Sequence, residues 1–353
     1  MELCDFLVLS PHGVGLQSFL YGIRRLGVRC STWGMVSTVS DFKKAQEYID
    51  SEKKSHKIVG ITLDCPVDIP RNFLFSTKTA IPIFVLVRDP IEIIVSILNQ
   101  IIGDELVKVY LWQNQASMTG ADELVETVMK KCSRYIIFTS LVESVAKRAI
   151  PSSRITVFDT KDLREERIED TLCRVAKEFS VFFSKKRAAI SKKSFNAFPS
   201  RIFRLLPACC IFAHGDAFLF ISIMKKEISS FFNVNIESLF FEFSHNGCEY
   251  LAFAKDPNGY EHRYTDVSSL HVVNSLKDVE RHARIQVAVV DKICSIHQSM
   301  KFDPAGLIAI LNKNTALASL LKEVIANEVV QIEKLAPSIV SSWEHMNLFL
   351  NGR

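Results

Sequence analysis

Residues 81–87 restrict the possible fold more than any other stretch of this sequence. The run Ile-Pro-Ile-Phe-Val-Leu-Val carries no charge and is rich in β-branched side chains, as expected of a central strand in a parallel sheet. Arginine, aspartate and proline follow directly, and residues 91–102 then have the pattern of a helix. A buried strand that leads straight into a helix is the repeating element of α/β proteins.

The same alternation of strand and helix occurs on both sides of this run. Residues 6–9 are apolar and lead, through a turn with glycines, into an amphipathic helical pattern that ends at Gly27. Further strands are predicted at residues 57–63, 135–138 and 155–158, and further helices at residues 141–149 and 167–179. The sequence therefore predicts an α/β fold with a doubly wound, mostly parallel sheet of the P-loop type.

The pattern changes after the basic residues 185–193. Two β-hairpins are predicted, at residues 205–223 and 239–254, and Asn246-Gly247 in the second is a strong turn signal. From residue 267 onward the pattern is helical. We therefore predict an α/β domain at residues 1–184, a basic linker at 185–200, and a β-hairpin and helical region at 201–353.

The composition excludes several classes of protein. With 48% hydrophobic and 23% charged residues, the 353-residue chain has enough apolar side chains for sizeable cores. The net charge of +4 is too small and too dispersed for a nucleic-acid-binding protein. The nine cysteines include no Cys-x-x-Cys pair, which favours reduced thiols and predicts no metal site.

No targeting or membrane segment is predicted either. The first residues have the pattern of a strand and lack the basic region and cleavage site of a signal peptide. The apolar residues 205–224 are interrupted by His214-Gly215-Asp216, so that neither half reaches the roughly 20 residues that span a bilayer. We therefore expect a cytoplasmic protein, and the sequence makes no prediction about its oligomeric state.

The segment Arg-Asp-Pro-Ile-Glu-Ile-Ile-Val-Ser at residues 88–96 is the clearest candidate for a binding motif. Arg88 ends the buried strand and Ser96 lies on the following helix. Ligands of open α/β sheets bind beyond the carboxyl ends of the strands. There a guanidinium offers a planar pair of donors to a phosphate, and a hydroxyl can donate to the same group. The alternative is an ordinary arginine at a strand end.

The turn after the first strand is the second candidate. A strand–turn–helix junction brings free backbone N–H groups to the positive end of a helix, which suits phosphate or sulfate. Residues 10–18 have such a composition, with Gly13, Gly15 and Ser18. They lack the Gly-Lys-Ser/Thr of a Walker A motif, which disfavours an ATPase or kinase.

The two segments resemble the donor-binding motifs of sulfotransferases. In that family an arginine at a strand end, followed by Asn or Asp, Pro and a later serine, binds the 3′-phosphate of 3′-phosphoadenylyl sulfate. Arg88 and Ser96 match this motif by type and spacing. The family's loop Pro-Lys-Ser-Gly-Thr-Thr binds the phosphosulfate. The resemblance thus implies a sulfotransferase-like fold that binds 3′-phosphoadenylyl sulfate and needs no metal. It also implies that the phosphosulfate is bound by Gly13, Gly15, Gln17 and Ser18.

The catalytic residues implied by this resemblance depart from the family pattern. The lysine of the loop is absent, and His12 occupies roughly its place. The strand end Thr62-Leu63-Asp64-Cys65-Pro66 is similar to a Thr-His-Leu-Pro segment whose histidine is the general base in the family. A buried carboxylate can have a pKa raised toward neutrality and act as a base. Asp64 is therefore the preferred candidate and His12 the second, with turn capping the alternative role for Asp64.

A second resemblance covers more of the chain, though sparsely. The Arg-Asp-Pro segment and residues 336–343, Ala-Pro-Ser-Ile-Val-Ser-Ser-Trp, are similar to motifs of an uncharacterised bacterial family associated with surface-polysaccharide loci. The association implies a glycan or small-molecule acceptor for the sulfuryl group. Trp343 is predicted to anchor a C-terminal helix.

Two alternative functions stay open at this point. A glycan-pathway transferase with a nucleotide-sugar donor would have the same kind of acceptor, but the sequence lacks an Asp-x-Asp motif to hold its metal. A non-catalytic nucleotide- or phosphate-binding protein would keep the Arg88 site without the chemistry, and the missing lysine favours it. Placement of Asp64 in the same cleft as Arg88 and Ser96 would favour the enzyme.

Overall fold

The fold is described from a computed structural model. It describes residues 4–30, 39–63, 80–111, 118–146, 154–164, 166–181, 209–214, 217–226, 239–255 and 270–352. The chain divides into two compact units. The parallel-sheet unit comprises Met1–Leu98, Ala121–Phe195 and Phe302–Arg353, and the mixed-sheet unit comprises Asn99–Gly120 and Asn196–Lys301.

Five parallel strands form the centre of the parallel-sheet unit, in the order β2-β3-β1-β4-β5. Every residue of β1, β3 and β4 is buried, which explains why these three segments lack charged side chains. The parallel sheet predicted from the sequence is thus confirmed, whereas its assignment to a sulfotransferase-like fold stays a prediction. The strands are β1 (Phe6–Leu9), β2 (Arg29–Cys30), β3 (Val59–Leu63), β4 (Ile83–Val87) and β5 (Ile155–Asp159).

Six helices in the described part of residues 4–181 alternate with or follow these strands. The buried face of the first consists of Phe19, Leu20, Ile23 and Leu26, as the sequence predicts. Phe19 lies 5.9 Å from Phe84 of β4 and 5.8 Å from Phe158 of β5, measured between ring centroids. The helices are α1 (Leu16–Arg25), α2 (Val39–Glu52), α3 (Pro90–Leu111), α4 (Ala121–Met129), α5 (Phe138–Ala146) and α6 (Ile168–Glu178), with 3-10 turns at Cys132–Arg134 and Thr160–Leu163.

The prediction of a strand at residues 135–138 is wrong. Tyr135 follows the 3-10 turn Cys132–Arg134, and Phe138 is already the first residue of α5. Ile136, Ile137 and Phe138 are all buried. A short apolar run is compatible with a buried strand or with the beginning of a buried helix, and its pattern cannot distinguish them.

Within the described residues, the mixed-sheet unit contains five strands in the order β10-β6-β7-β9-β8, one long helix and the end of α3. Both predicted hairpins are confirmed as antiparallel pairs where the structure describes them, and residues 205–208 of the first lie outside the described residues. In the second, Asn246 (φ 48°) and Gly247 (φ 75°) both have the positive φ of a type I′ turn. The elements are β6 (Cys210–His214), β7 (Ala217–Lys225), β8 (Leu239–His245), β9 (Cys248–Lys255), β10 (Val272–Val273) and α7 (Leu276–Met300).

The remaining helices belong to the parallel-sheet unit. Glu328 ties them to α5, because the Thr139 hydroxyl donates to its backbone carbonyl (2.7 Å) and the Ser140 N–H donates to its carboxylate (3.0 Å). In the two compact units the last helices belong with the parallel sheet, whereas the sequence analysis placed them in one region with the hairpins, residues 201–353. The domain boundaries drawn from the sequence stay a prediction. The helices are α8 (Pro304–Lys313), α9 (Thr315–Glu328), α10 (Val330–Leu335), α11 (Pro337–Ser341) and α12 (Glu344–Asn351).

Among the helices within the described ranges, none is both long and apolar enough to cross a membrane.

Candidate functional site

The candidate site lies where the carboxyl ends of β1 and β4 meet. These strands are neighbours at the centre of the sheet. After β1 the chain forms β2 and β3 on one side of β1 in the sheet, and it then forms β4 and β5 on the opposite side of β1. The strand order therefore reverses between β1 and β4. Such a switch point leaves a crevice outside the strand ends, where open α/β sheets bind ligands.

The turn after β1 borders this crevice and leads into α1. Gly13 (φ 77°) and Gly15 (φ 80°) adopt left-handed backbone conformations that L-residues with side chains rarely adopt. Gly15 is the N-cap of α1, has no side chain to cap the helix, and no acidic residue follows in the first turn. Within the described part of the chain, the positive end of α1 thus has no carboxylate of its own.

Arg88 links the end of β4 to this turn. One terminal nitrogen donates to the carbonyl oxygen of Gly13 at 2.9 Å, and Nε donates to Oε2 of Glu92 at 2.8 Å. These bonds use two of the five guanidinium N–H groups. Among the described residues the other three have no acceptor, and the side chain is 25% exposed. The guanidinium is therefore held in place while part of its donor edge stays available to a ligand.

Ser96 lies directly beside the same turn. A Cβ atom added to Gly13 would be 3.4 Å from both Cβ and Oγ of Ser96, and 3.6 Å from the carbonyl oxygen of Ile93. The absence of a side chain at Gly13 allows the turn to lie against α3. The structure thus brings together Gly13, Arg88 and Ser96, which the sequence singled out from two separate segments.

The remaining predicted site residues are less informative. Asp64 lies outside the described residues, as does the side chain of Gln17. Ser18 is half-buried in the first turn of α1, where its N–H donates to the carbonyl of Gly15 at 3.0 Å. His12 is exposed, with its ring centroid 6.3 Å from that of Tyr135.

Asp89, the aspartate between Arg88 and Pro90, has a structural function that the sequence did not predict. One carboxylate oxygen accepts the N–H of Ile91 (2.9 Å) and caps α3. The other accepts the N–H groups of His345 and Met346, both at 3.0 Å, in the first turn of α12. Burial raises the pKa of Asp89 above its ordinary value, and the bonds from Met346 and Ile91 partly oppose this shift. A single carboxylate therefore caps two helices.

Asp159, at the end of β5, plays a similar part. One carboxylate oxygen accepts the N–H of Lys161 (2.7 Å), and the other accepts the indole N–H of Trp343 (2.6 Å). Trp343 is completely buried and precedes α12. Burial raises the pKa of Asp159, while the bonds from Lys161 and Trp343 act in the opposite direction. Trp343 does anchor the last helix, as predicted, and Asp159 is its polar partner.

Thr160 joins these strand ends to the glycine turn. Its hydroxyl lies 3.0 Å from the carbonyl oxygen of Val14 and 3.2 Å from that of Val87. Leu163, three residues later, packs against Gly15: a Cβ added there would be 3.3 Å from the leucine side chain. The turn that carries the candidate site is therefore supported from β5 as well as from β4.

Sequence reasoning also missed the counter-charge of Arg88. Glu92 lies in the first turn of α3, whereas Arg88 precedes that helix, so the spacing rule for side chains within a helix does not predict the pair. The other carboxylate oxygen of Glu92 lies 3.8 Å from Nε2 of His345. The charge offered to a ligand at Arg88 is consequently smaller than the arginine alone suggests.

Residues 157–351 match a family described as Protein of unknown function (DUF2972). The matched segment is more than half of the chain. The chain belongs to the DUF2972 family. The DUF2972 segment includes Asp159 and Trp343 but begins after Arg88 and Ser96. Neither the curated proteins nor the solved structures give a match to the chain.

Proposed function

We propose that this DUF2972 protein binds 3′-phosphoadenylyl sulfate and transfers its sulfuryl group to a hydroxyl of a glycan or small metabolite. The observation that carries the proposal is the convergence of Arg88, Ser96 and Gly13 at the switch point of the parallel sheet. A phosphate there would accept from the guanidinium N–H groups that Gly13 and Glu92 do not use, and from the Ser96 hydroxyl.

The proposed reaction needs a base, a stabilised leaving group and no electron transfer. The acceptor oxygen attacks sulfur, the bond from sulfur to the bridging phosphate oxygen breaks, and adenosine 3′,5′-bisphosphate leaves. Negative charge then develops on the bridging oxygen, where the backbone N–H groups from Gly13 to Gln17, at the start of α1, would stabilise it. Asp64 or His12 would accept the proton of the attacking hydroxyl.

A second candidate function is nucleotide or phosphate binding without catalysis. Glu92 neutralises part of the charge of Arg88, and the glycine turn carries no lysine. Both features weaken stabilisation of a leaving group more than they weaken binding of a phosphate. A nucleotide-sugar transferase remains the third candidate, and no described feature favours it over the other two.

Calorimetric titration with adenosine 3′,5′-bisphosphate tests the shared binding site. Wild-type protein should bind with micromolar affinity, about −8 kcal/mol. Arg88→Ala and Ser96→Ala should bind at least about tenfold more weakly. Arg88→Lys keeps the charge but loses the paired donors, so it should fall between wild type and Arg88→Ala.

Lys313→Ala is the matched control, since Lys313 is an exposed cation in the last turn of α8. This variant should bind like wild type. Absence of binding by folded wild-type protein, or equal affinity in wild type and Arg88→Ala, would contradict the proposed donor site. Sulfate transfer from the radiolabelled donor to glycan acceptors then separates the enzyme from the binding protein, because only the enzyme gives a labelled acceptor.

A further inference from the structure

A cavity in the parallel-sheet unit, apart from the glycine turn, has a chemistry of its own. It has a volume of about 680 Å³, within the range of small-molecule sites. Three segments line it: the outer edge of β5, the 3-10 turn with α6, and the residues around the junction of α10 and α11. Neither the glycine turn nor residues 88–96 contribute to its lining.

The cavity follows from the position of β5 at the edge of the sheet. β5 pairs with β4 on one side, and its other edge lines the cavity. Opposite this edge the chain leaves the helical conformation at Ala336 (φ −149°, ψ 65°), and Pro337 begins α11. Proline has no N–H to donate, and an irregular residue between two short helices leaves room beside the strand.

Four cationic side chains and two carboxylates line this cavity. Both carboxylates are already engaged: Asp159 accepts from Trp343 and Lys161, and Asp162 accepts from the N–H of Asp159 (3.1 Å) and lies 3.4 Å from Arg167. The lining cations are Arg154, Lys161, Arg167 and Arg174. Arg154 pairs with Glu178 at 3.1 Å.

Lys161 and Arg174 have no such partner at ion-pair distance among the described residues, although Lys161 is close enough to Asp159 for its charge to oppose the rise in the pKa of that carboxyl. The Lys161 ammonium donates to the carbonyl oxygen of Ser342 at 3.0 Å, which satisfies a donor but supplies no opposite charge. The Arg174 guanidinium lies 4.6 Å above the centre of the Phe158 ring. In the part of the chain that the structure describes, neither cation forms an ion pair with a carboxylate. The ring contact also limits the movement of the guanidinium, which reduces the entropy lost when it binds a ligand.

We propose that this cavity binds a small molecule through a phosphate group, with Arg174 and Lys161 as the main contacts. A planar guanidinium matches two phosphate oxygens, and the ammonium adds a point charge beside it. The proposal does not depend on the sulfotransferase function. Apart from Arg154, Ile155 and Thr156, the lining belongs to the segment that matches the DUF2972 family.

Titration calorimetry of the full chain with inorganic pyrophosphate, at constant ionic strength, tests this proposal. Arg174→Gln and Lys161→Gln should each weaken binding by about tenfold or more. Lys313→Gln, the matched surface control, should leave the affinity unchanged. Because Arg88 belongs to the proposed donor site, Arg88→Ala removes pyrophosphate bound there, and binding that persists in this variant but is lost when Arg174→Gln is added belongs to the cavity.

Three results would overturn the proposal. The first is no binding of pyrophosphate by wild type up to about 1 mM. The second is wild-type affinity in both Arg174→Gln and Lys161→Gln. The third is loss of binding in Arg88→Ala with no effect of the cavity variants. Arg174 is exposed and Lys161 is half-buried, and either variant still gives a decisive result if the other does not fold.

Discussion

Replacing Trp343 by phenylalanine should destabilise the parallel-sheet unit by about 3 kcal/mol. The indole N–H donates to a buried carboxylate oxygen of Asp159 at 2.6 Å, and phenylalanine cannot replace this donor. Loss of a hydrogen bond to a charged group costs about 1.5–3 kcal/mol. The smaller ring leaves a void at a completely buried position, which adds roughly 1 kcal/mol.

A double-mutant cycle isolates the hydrogen bond from the packing. Asp159→Asn places an NH₂ group against one of the two donors, either Lys161 N–H or the Trp343 indole. Once Trp343 is phenylalanine, the amide can turn its NH₂ group away from Lys161. The two changes should therefore be coupled by about 1–2 kcal/mol.

Urea unfolding followed by circular dichroism measures the cycle without relying on tryptophan fluorescence. Two units can give two transitions, so only the transition that Trp343→Phe shifts is compared between variants. Phe138→Leu is the control, because its ring lies 5.9 Å from Trp343 but forms no hydrogen bond with Asp159. It should destabilise without coupling to Asp159→Asn. Coupling below about 0.5 kcal/mol between Trp343→Phe and Asp159→Asn would refute the assigned hydrogen bond.

Two further predictions concern pH and backbone packing. Because burial raises the pKa of Asp89 and Asp159 above 3.8, their stabilising contribution is complete below about pH 4 and is lost as the pH rises through the raised values. The free energy of unfolding of an Asp89→Asn/Asp159→Asn double variant, minus that of wild type, should therefore increase as the pH is raised from about 4 to 7. A difference that stays constant over this range would contradict the prediction. Gly60→Ala should lower the melting temperature strongly, since its Cβ would lie 2.3 Å from the ring of Phe6, whereas Gly120→Ala, with nothing within 4 Å, should not. Equal melting temperatures of the two variants would show that Phe6 can move aside.

The sequence predicts those strands whose burial leaves a visible pattern. β4 is recognisable because it is buried on both faces and therefore carries no charged residue. Asn246-Gly247 identifies the second hairpin because both residues must adopt positive φ. β2 and β10 contain two residues each, too few for any periodicity, and neither was predicted.

The candidate site was partly predictable for a similar reason. Arg88 and Ser96 lie in one short segment of the chain, so a local sequence motif identifies them, and the structure brings both to Gly13. The main function of Asp89 could not be found in this way, because its partners on α12 lie 256 and 257 positions later in the chain. Contacts of that separation leave no periodic signal in a single sequence.

The order of synthesis gives the bond between Asp159 and Trp343 a further consequence. The two residues are 184 positions apart, and the residues between them include the strands and the long helix of the mixed-sheet unit. At a translation rate of about 5–20 residues per second, Trp343 follows Asp159 by roughly 10–40 s. During this interval the nascent parallel sheet has no helix α12 to cover the ends of β4 and β5. The mixed-sheet unit thus has time to fold on the ribosome before the unit that surrounds it in sequence can be completed.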